Sequence, residues 1–180
     1  MRDRSAFFFS LVQGEHRESP RIVEITSQEV KLVSETRFFI PALASVYSKL
    51  DGVANALVRI AVGGFMLPHG ISRIANGGIQ GTAQFMSKSG LEPAYALAVY
   101  ITALEVVGGL LLVIGFLTRP VAALVVGFMA VAAMIHLQTF GYFWTKTGGE
   151  VPMFWGLMAL VVLIKGGGKY SVDNVLGREF

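Results

Sequence analysis

Apolar positions gather into four runs separated by short polar breaks. One occupies residues 93–116 (PAYALAVYITALEVVGGLLLVIGF), another residues 52–74 (GVANALVRIAVGGFMLPHGISRI), a third residues 120–140 (PVAALVVGFMAVAAMIHLQTF) and the last residues 151–165 (VPMFWGLMALVVLIK). A membrane-spanning helix needs about 20 predominantly apolar residues. The first three runs reach that length. The fourth falls short and has to draw on Gly148, Gly149 and Gly166 to Gly168, or lie where the bilayer is thinned. Within the runs the small and polar residues keep helical spacing. Arg59, Gly63, Met66, Gly70 and Arg73 fall on one stripe of the 52–74 run, and Ile101, Glu105, Gly108, Leu112 and Gly115 on one stripe of the 93–116 run. The pattern predicts an all-α fold, an integral membrane four-helix bundle in which these stripes face inward.

Residues 1–50 break the pattern. Charges such as Arg17, Glu18, Arg21 and Glu24 alternate with short apolar clusters. The Phe7–Phe8–Phe9 patch is too short for the apolar core of a signal peptide. Residues 1–36 read as a poorly ordered cytoplasmic tail, residues 37–50 as an amphipathic helix in the membrane interface, and residues 51–177 as the membrane domain. No internal repeat or low-complexity segment stands out.

Composition agrees with the pattern. The chain is 53% hydrophobic and 15% charged, against roughly 25% charged in soluble domains, and its mean hydropathy is +0.60. It contains no cysteine, which excludes disulfides, thiolate nucleophiles and thiolate-ligated clusters within the chain. The net charge of +3 is scattered at the ends of apolar runs, so it reads as a topology signal and not as a nucleic-acid surface. Arg37, Lys49, Arg119, Lys165, Lys169 and Arg178 fall on one side if both termini are cytoplasmic, against Arg73, Lys88 and Lys146 on the other. Phe140, Tyr142, Phe143 and Trp144 then make an outer aromatic belt. The expectation is a multi-pass protein of a bacterial plasma (inner) membrane.

The candidate chemistry centres on Glu105, the one charged residue of its run. A carboxylate at mid-bilayer costs at least ~2.5 kcal/mol without a partner, so it should face the interior and pair with a cation. Arg59 is the expected partner, since each shares its stripe with glycines that allow close helix approach. His69 and His136 come out at similar depth on different helices, with Arg73 and Gln138 near them in sequence. Pro68 removes a helix hydrogen bond at the same level. These residues admit both a structural reading (an ion pair fixing helix register, histidines capping the bundle) and an active one. In the active reading Glu105, Arg59 and His69 handle protons, and His69, Arg73, Glu105 and His136 hold a quinone or, through the histidine pair, a haem. No set of residues is proposed as a ligand set for a free metal ion.

Arg59 with Gly63, the Pro68-His69-Gly70 turn followed by Arg73, and Glu105-x-x-Gly108-Gly109 resemble the DoxX family of small four-helix bacterial membrane proteins. So do Gly115-Phe116-Leu117-Thr118-Arg119, His136 and Gly168-Lys169-Tyr170-Ser171-Val172-Asp173. The match runs in order over about residues 40–177. Lysine is commoner in the family where Arg73 stands, and the N-terminal tail has no counterpart. The resemblance implies a membrane component of oxidoreductase systems, associated with quinone-linked sulfur oxidation, with resistance to quinone-like or oxidative stress and with soluble redox partners. It marks Arg59, His69, Arg73, Glu105 and His136 as the positions to watch.

Two functions of different class follow. One is a redox membrane subunit, part of a quinone-linked oxidoreductase system, that binds a quinone in its polar interior. The other is a non-catalytic membrane anchor or assembly factor for a redox complex, with a haem-binding bundle as a further variant. A transporter has less to recommend it, because no discontinuous helix pair is evident. Expected partners are the lipid bilayer, soluble or membrane redox proteins and a second copy of the chain.

Overall fold

The computed structural model describes residues 39–179, and every regular element among them is helical. Helix α1 runs Ala42–Ala75, α2 Ile79–Lys88, α3 Ala94–Ile114, α4 Thr118–Phe140, α5 Glu150–Lys165 and α6 Val172–Val175. Three of these, α1, α3 and α4, are long and apolar enough to cross a membrane. Helix α5 has 16 residues, or about 24 Å at 1.5 Å per residue, the short fourth element that the pattern anticipated. The architecture is an all-α integral membrane bundle. The expected tail over residues 1–36 lies outside the described residues, as do Arg37 and Phe38. The rest of the expected interfacial segment, from Ala42, belongs to α1 without a break.

Both predicted stripes are buried. Met66 and Leu112 are almost wholly enclosed, Gly63 and Gly70 lie against α3, and Gly108 lies against Val121 of α4. Glycine is what brings α1 against α3. A Cβ at Gly63 would run into the Gly109 carbonyl oxygen and the Leu112 side chain, and one at Gly70 into the Val106 and Glu105 side chains. This contact fixes the register of the antiparallel pair, with Gly63 level with Gly109 to Val113 and Gly70 level with Thr102 to Val106. We therefore expect Gly63→Ala to force the backbones apart and to cost about 1–3 kcal/mol, the range for overpacking a filled interior. Thermal unfolding in detergent measures it, with Gly127→Ala, whose Cβ would meet nothing within 4 Å, as the neutral comparison.

Helix α3 holds a single π turn over Leu104–Gly108. Its N-terminus is capped by Glu92, which accepts hydrogen bonds from the Ser87 hydroxyl (2.7 Å) and the Ala94 N–H (2.9 Å). Those bonds hold the Glu92 carboxyl below its ordinary pKa. Helix α2 packs on this end of α3 through Ala83, Met86, Ala94, Ala98 and Ile101. Helices α4 and α5 form a hairpin whose apolar contacts include Val125, Met129, Ala159 and Val162. Their connection is drawn tight at Gly148 and Gly149, since a Cβ at Gly148 would strike the carbonyls of Gly141 and Tyr142 and one at Gly149 the Leu137 side chain.

Two of the sequence motifs close the other end of the bundle by docking on each other. Asp173, 1% exposed, accepts the Leu117 and Thr118 N–H groups at 2.9 Å each and so caps α4 from 55 residues away. Arg59, also 1% exposed, donates to the Leu112 carbonyl (2.6 Å) and the Val113 carbonyl (2.8 Å) at the end of α3 and to the Tyr170 carbonyl (2.6 Å). The last carbonyls of a helix have no partner within it and carry the negative end of its dipole, so a buried guanidinium is well matched to them. Asp173 supplies the neighbouring negative charge.

Candidate functional site: a cavity walled by Arg73, Glu105 and two histidines

Glu105 pairs with Arg73 and not with Arg59. Arg73 Nη1 donates to Glu105 Oε2 at 2.6 Å and Nη2 donates to Oε1 at 3.3 Å, a two-pronged contact with the side chains 19% and 6% exposed. Thr102 Oγ1, which itself donates to the Ala98 carbonyl at 2.7 Å, lies 3.5 Å from the same guanidinium nitrogen. Register and side-chain direction explain the correction. Gly70 stands level with Glu105, and Arg73 lies one turn beyond it on the same face. Arg59 is 11 residues before Gly70, about 16 Å along the axis at 1.5 Å per residue. Helical side chains lean toward the N-terminus of their own helix. In an antiparallel pair that inclines Arg73 and Glu105 toward one another and Arg59 away from both.

A cavity of about 400 Å³ opens beside this pair. His69, Arg73, Glu105 and His136 all line it, so four of the five residues singled out in the sequence meet at one place; Arg59 does not. The π turn carries Glu105, and such turns are frequent at functional sites because they break the regular helix ladder. Helix α1 delivers His69 and Arg73, one turn apart, and α4 delivers His136. His136 Nδ1 lies 2.6 Å from the Thr147 carbonyl. A carbonyl only accepts, so Nδ1 carries a proton, and Nε2 is the ring nitrogen that can accept. Thr147 holds its backbone at φ 63°, a conformation unusual for a β-branched residue, and it presents that carbonyl from the α4–α5 connection. Glu150 steadies the same connection by accepting the Trp144 N–H at 3.0 Å.

The remaining wall is aromatic and apolar: Phe128, Met129, Trp144 and Trp155. Trp155 donates to the Val62 carbonyl at 3.3 Å and meets the His69 ring edge-on at a centroid separation of 5.9 Å. Sequence reading placed Trp144 in an outer aromatic belt. Hydropathy cannot separate a lipid-facing aromatic from one facing a cavity, and the doublet Gly148–Gly149, where the α4–α5 connection is drawn tight, was the available signal. Gln138 is not among the lining residues. Among the described residues no group of three or more acidic or histidine side chains is placed to hold a metal ion.

A model of the DoxX family matches residues 54–138, which include Arg59, His69, Arg73, Glu105 and His136. Inner membrane protein YqjF of Escherichia coli K12 is 31% identical over 137 residues, covering 73% of this chain and 98% of that relative. Inner membrane protein YphA of the same organism is 29% identical over 127 residues, covering 66% of this chain and 86% of its own length. No solved structure matches the chain. On the family match and the near-complete coverage of the first relative, this chain belongs to the DoxX family of membrane proteins.

Proposed function

We propose that the chain is the membrane subunit of a quinone-linked oxidoreductase system and binds a quinone or hydroquinone ring in the cavity between His69, Arg73, Glu105 and His136. The observation that carries this reading is the meeting of those four side chains with Phe128, Trp144 and Trp155 around one cavity of about 400 Å³. Flat aromatic walls with a few convergent polar groups suit a planar ring bearing two oxygens. When bound, a quinone supplies two-electron, two-proton chemistry, and its electrons are exchanged with a redox partner protein. The chain's own part is to seat the ring and hold protons. His136, its Nδ1–H committed to Thr147, accepts a hydroxyl proton at Nε2. Glu105 takes a second proton by loosening from Arg73, which remains as the balancing cation. We place the protein in the inner membrane with four passes and both termini cytoplasmic. The two relatives are inner membrane proteins, and the clustering of Lys49, Arg119, Lys165 and Lys169 at the Arg59 end supports that orientation.

The chain's two tryptophans both line this cavity, so intrinsic fluorescence reports on it directly. In nanodiscs, a methyl-substituted benzoquinone should quench the wild type saturably, and Glu105→Gln should bind about tenfold more weakly, equivalent to about 1.4 kcal/mol, while still unfolding cooperatively. Quenching that only rises linearly with quinone in the bilayer contradicts the reading and favours the anchor or assembly role. A haem held between His69 and His136 has in its favour that both rings line the same cavity. A Soret band in the purified protein, lost in His136→Phe, would replace the quinone reading with that one.

A further inference from the structure

A second cavity of about 490 Å³ lies under α2 and shares Arg73, Phe128, Ala132 and His136 with the first. Its other walls are mainly apolar, including Phe85, Met86, Leu91, Ile101 and Ile135. The two chambers differ in chemistry. One holds the acid and both histidines; the other holds hydrocarbon walls, with Arg73 and His136 only at the boundary. A boundary of Arg73, His136, Phe128 and Ala132, between a chamber that holds the acid and an apolar one, suits an amphiphile.

We propose that the ligand carries an apolar chain, with its ring in the chamber of His69 and Glu105 and its chain passing Ala132 into the chamber under α2. This deepens the quinone reading and rests on it, because it names the substrate class as lipid-soluble quinones with a hydrocarbon tail. Helix α2 is suited to roofing such a chain. It has 10 residues, about 15 Å at 1.5 Å per residue, too short to span, and it packs on the start of α3 through Ala83 and Met86. Gly78 and Gly81 lie in its wall, and a Cβ at Gly81 would meet nothing within 4 Å, so the space beside it is free. Lipid tails are as apolar as leucine. A chain moving from bilayer to cavity therefore gains little from burial; the cavity acts by shape, and filling it would push the ring of a tailed ligand away from His136 and Glu105.

The test uses the full chain in nanodiscs, with a decyl-substituted benzoquinone and its methyl counterpart as probes and tryptophan quenching as the readout. Each probe is compared with itself on the wild type, so unequal partitioning into the bilayer cancels. Gly81→Phe fills the chamber under α2, and Gly81→Leu serves if the larger side chain disturbs folding. Gly127→Phe, also in open space and lining neither cavity, is the control. We expect the decyl probe to weaken about tenfold or more with the Gly81 variants, the methyl probe to stay within about twofold, and Gly127→Phe to change neither. Undiminished decyl binding in both Gly81 variants places the chain in the bilayer and overturns the proposal, leaving the ring site intact. Equal weakening of both probes also overturns it. Saturable binding of neither probe to the wild type removes the ring site and this proposal with it.

Discussion

Replacing Arg59 with methionine should lower the stability of the folded protein by about 3–5 kcal/mol, the cost of breaking a buried charge arrangement by removing one partner. Methionine keeps much of the length and volume but donates no hydrogen bond. The Leu112, Val113 and Tyr170 carbonyls would lose their shared donor, and the attraction between the guanidinium and Asp173, itself 1% exposed, would be lost with it. The loss should propagate to α4, because Asp173 is also the cap on Leu117 and Thr118. Arg59→Lys should recover only part of the deficit, since one ammonium is a point donor and the three carbonyls lie on two segments. Thermal unfolding followed by tryptophan fluorescence measures both. Quinone affinity of the protein that remains folded should be unchanged, because Arg59 lines neither cavity.

Removing the other arginine should also be severe, for a different reason. Arg73→Ala leaves Glu105 at 5% exposure without its cation, again about 3–5 kcal/mol. It strips the cavity wall of its positive charge as well, so ligand affinity should fall together with stability. Arg73→Lys separates the two effects. A lysine keeps the charge that family members commonly carry there but not the paired N–H geometry, so stability should recover further than affinity. A variant with full affinity and lowered stability would make Arg73 purely structural.

Much of this arrangement was legible in the sequence. Run lengths gave three helices long enough to span and a shorter fourth. Helical spacing put Glu105 on a face with Gly108 and Arg59 on a face with Gly63, and both faces are buried. Similar depth brought His69 and His136 to one cavity. The pairing of Arg59 with Glu105 failed because periodicity assigns faces but not register. Gly63 against Gly109 and Gly70 against Glu105 set the register, and side-chain lean then selects Arg73. The π turn at Leu104–Gly108 leaves no mark in composition, because the extra residue is absorbed by a backbone ladder that any of these side chains permits. The resemblance recorded the Gly115–Arg119 and Gly168–Asp173 motifs separately. That one caps the other could not be read from either, since the contact joins residues 55 apart.

Two arginines of one helix do separate jobs, Arg59 holding the closed end of the bundle and Arg73 holding Glu105 at the cavity. A pair of double-mutant cycles on unfolding free energy separates these roles, one over Arg73→Ala and Glu105→Ala and the other over Arg59→Ala and Glu105→Ala. Contacting residues couple by about 0.5–3 kcal/mol, and residues more than 7–10 Å apart add to within about 0.5 kcal/mol. Arg73 with Glu105 should couple in the upper part of that range, and Arg59 with Glu105 should be additive. Strong coupling of Glu105 to Arg59, with additivity at Arg73, would contradict that division.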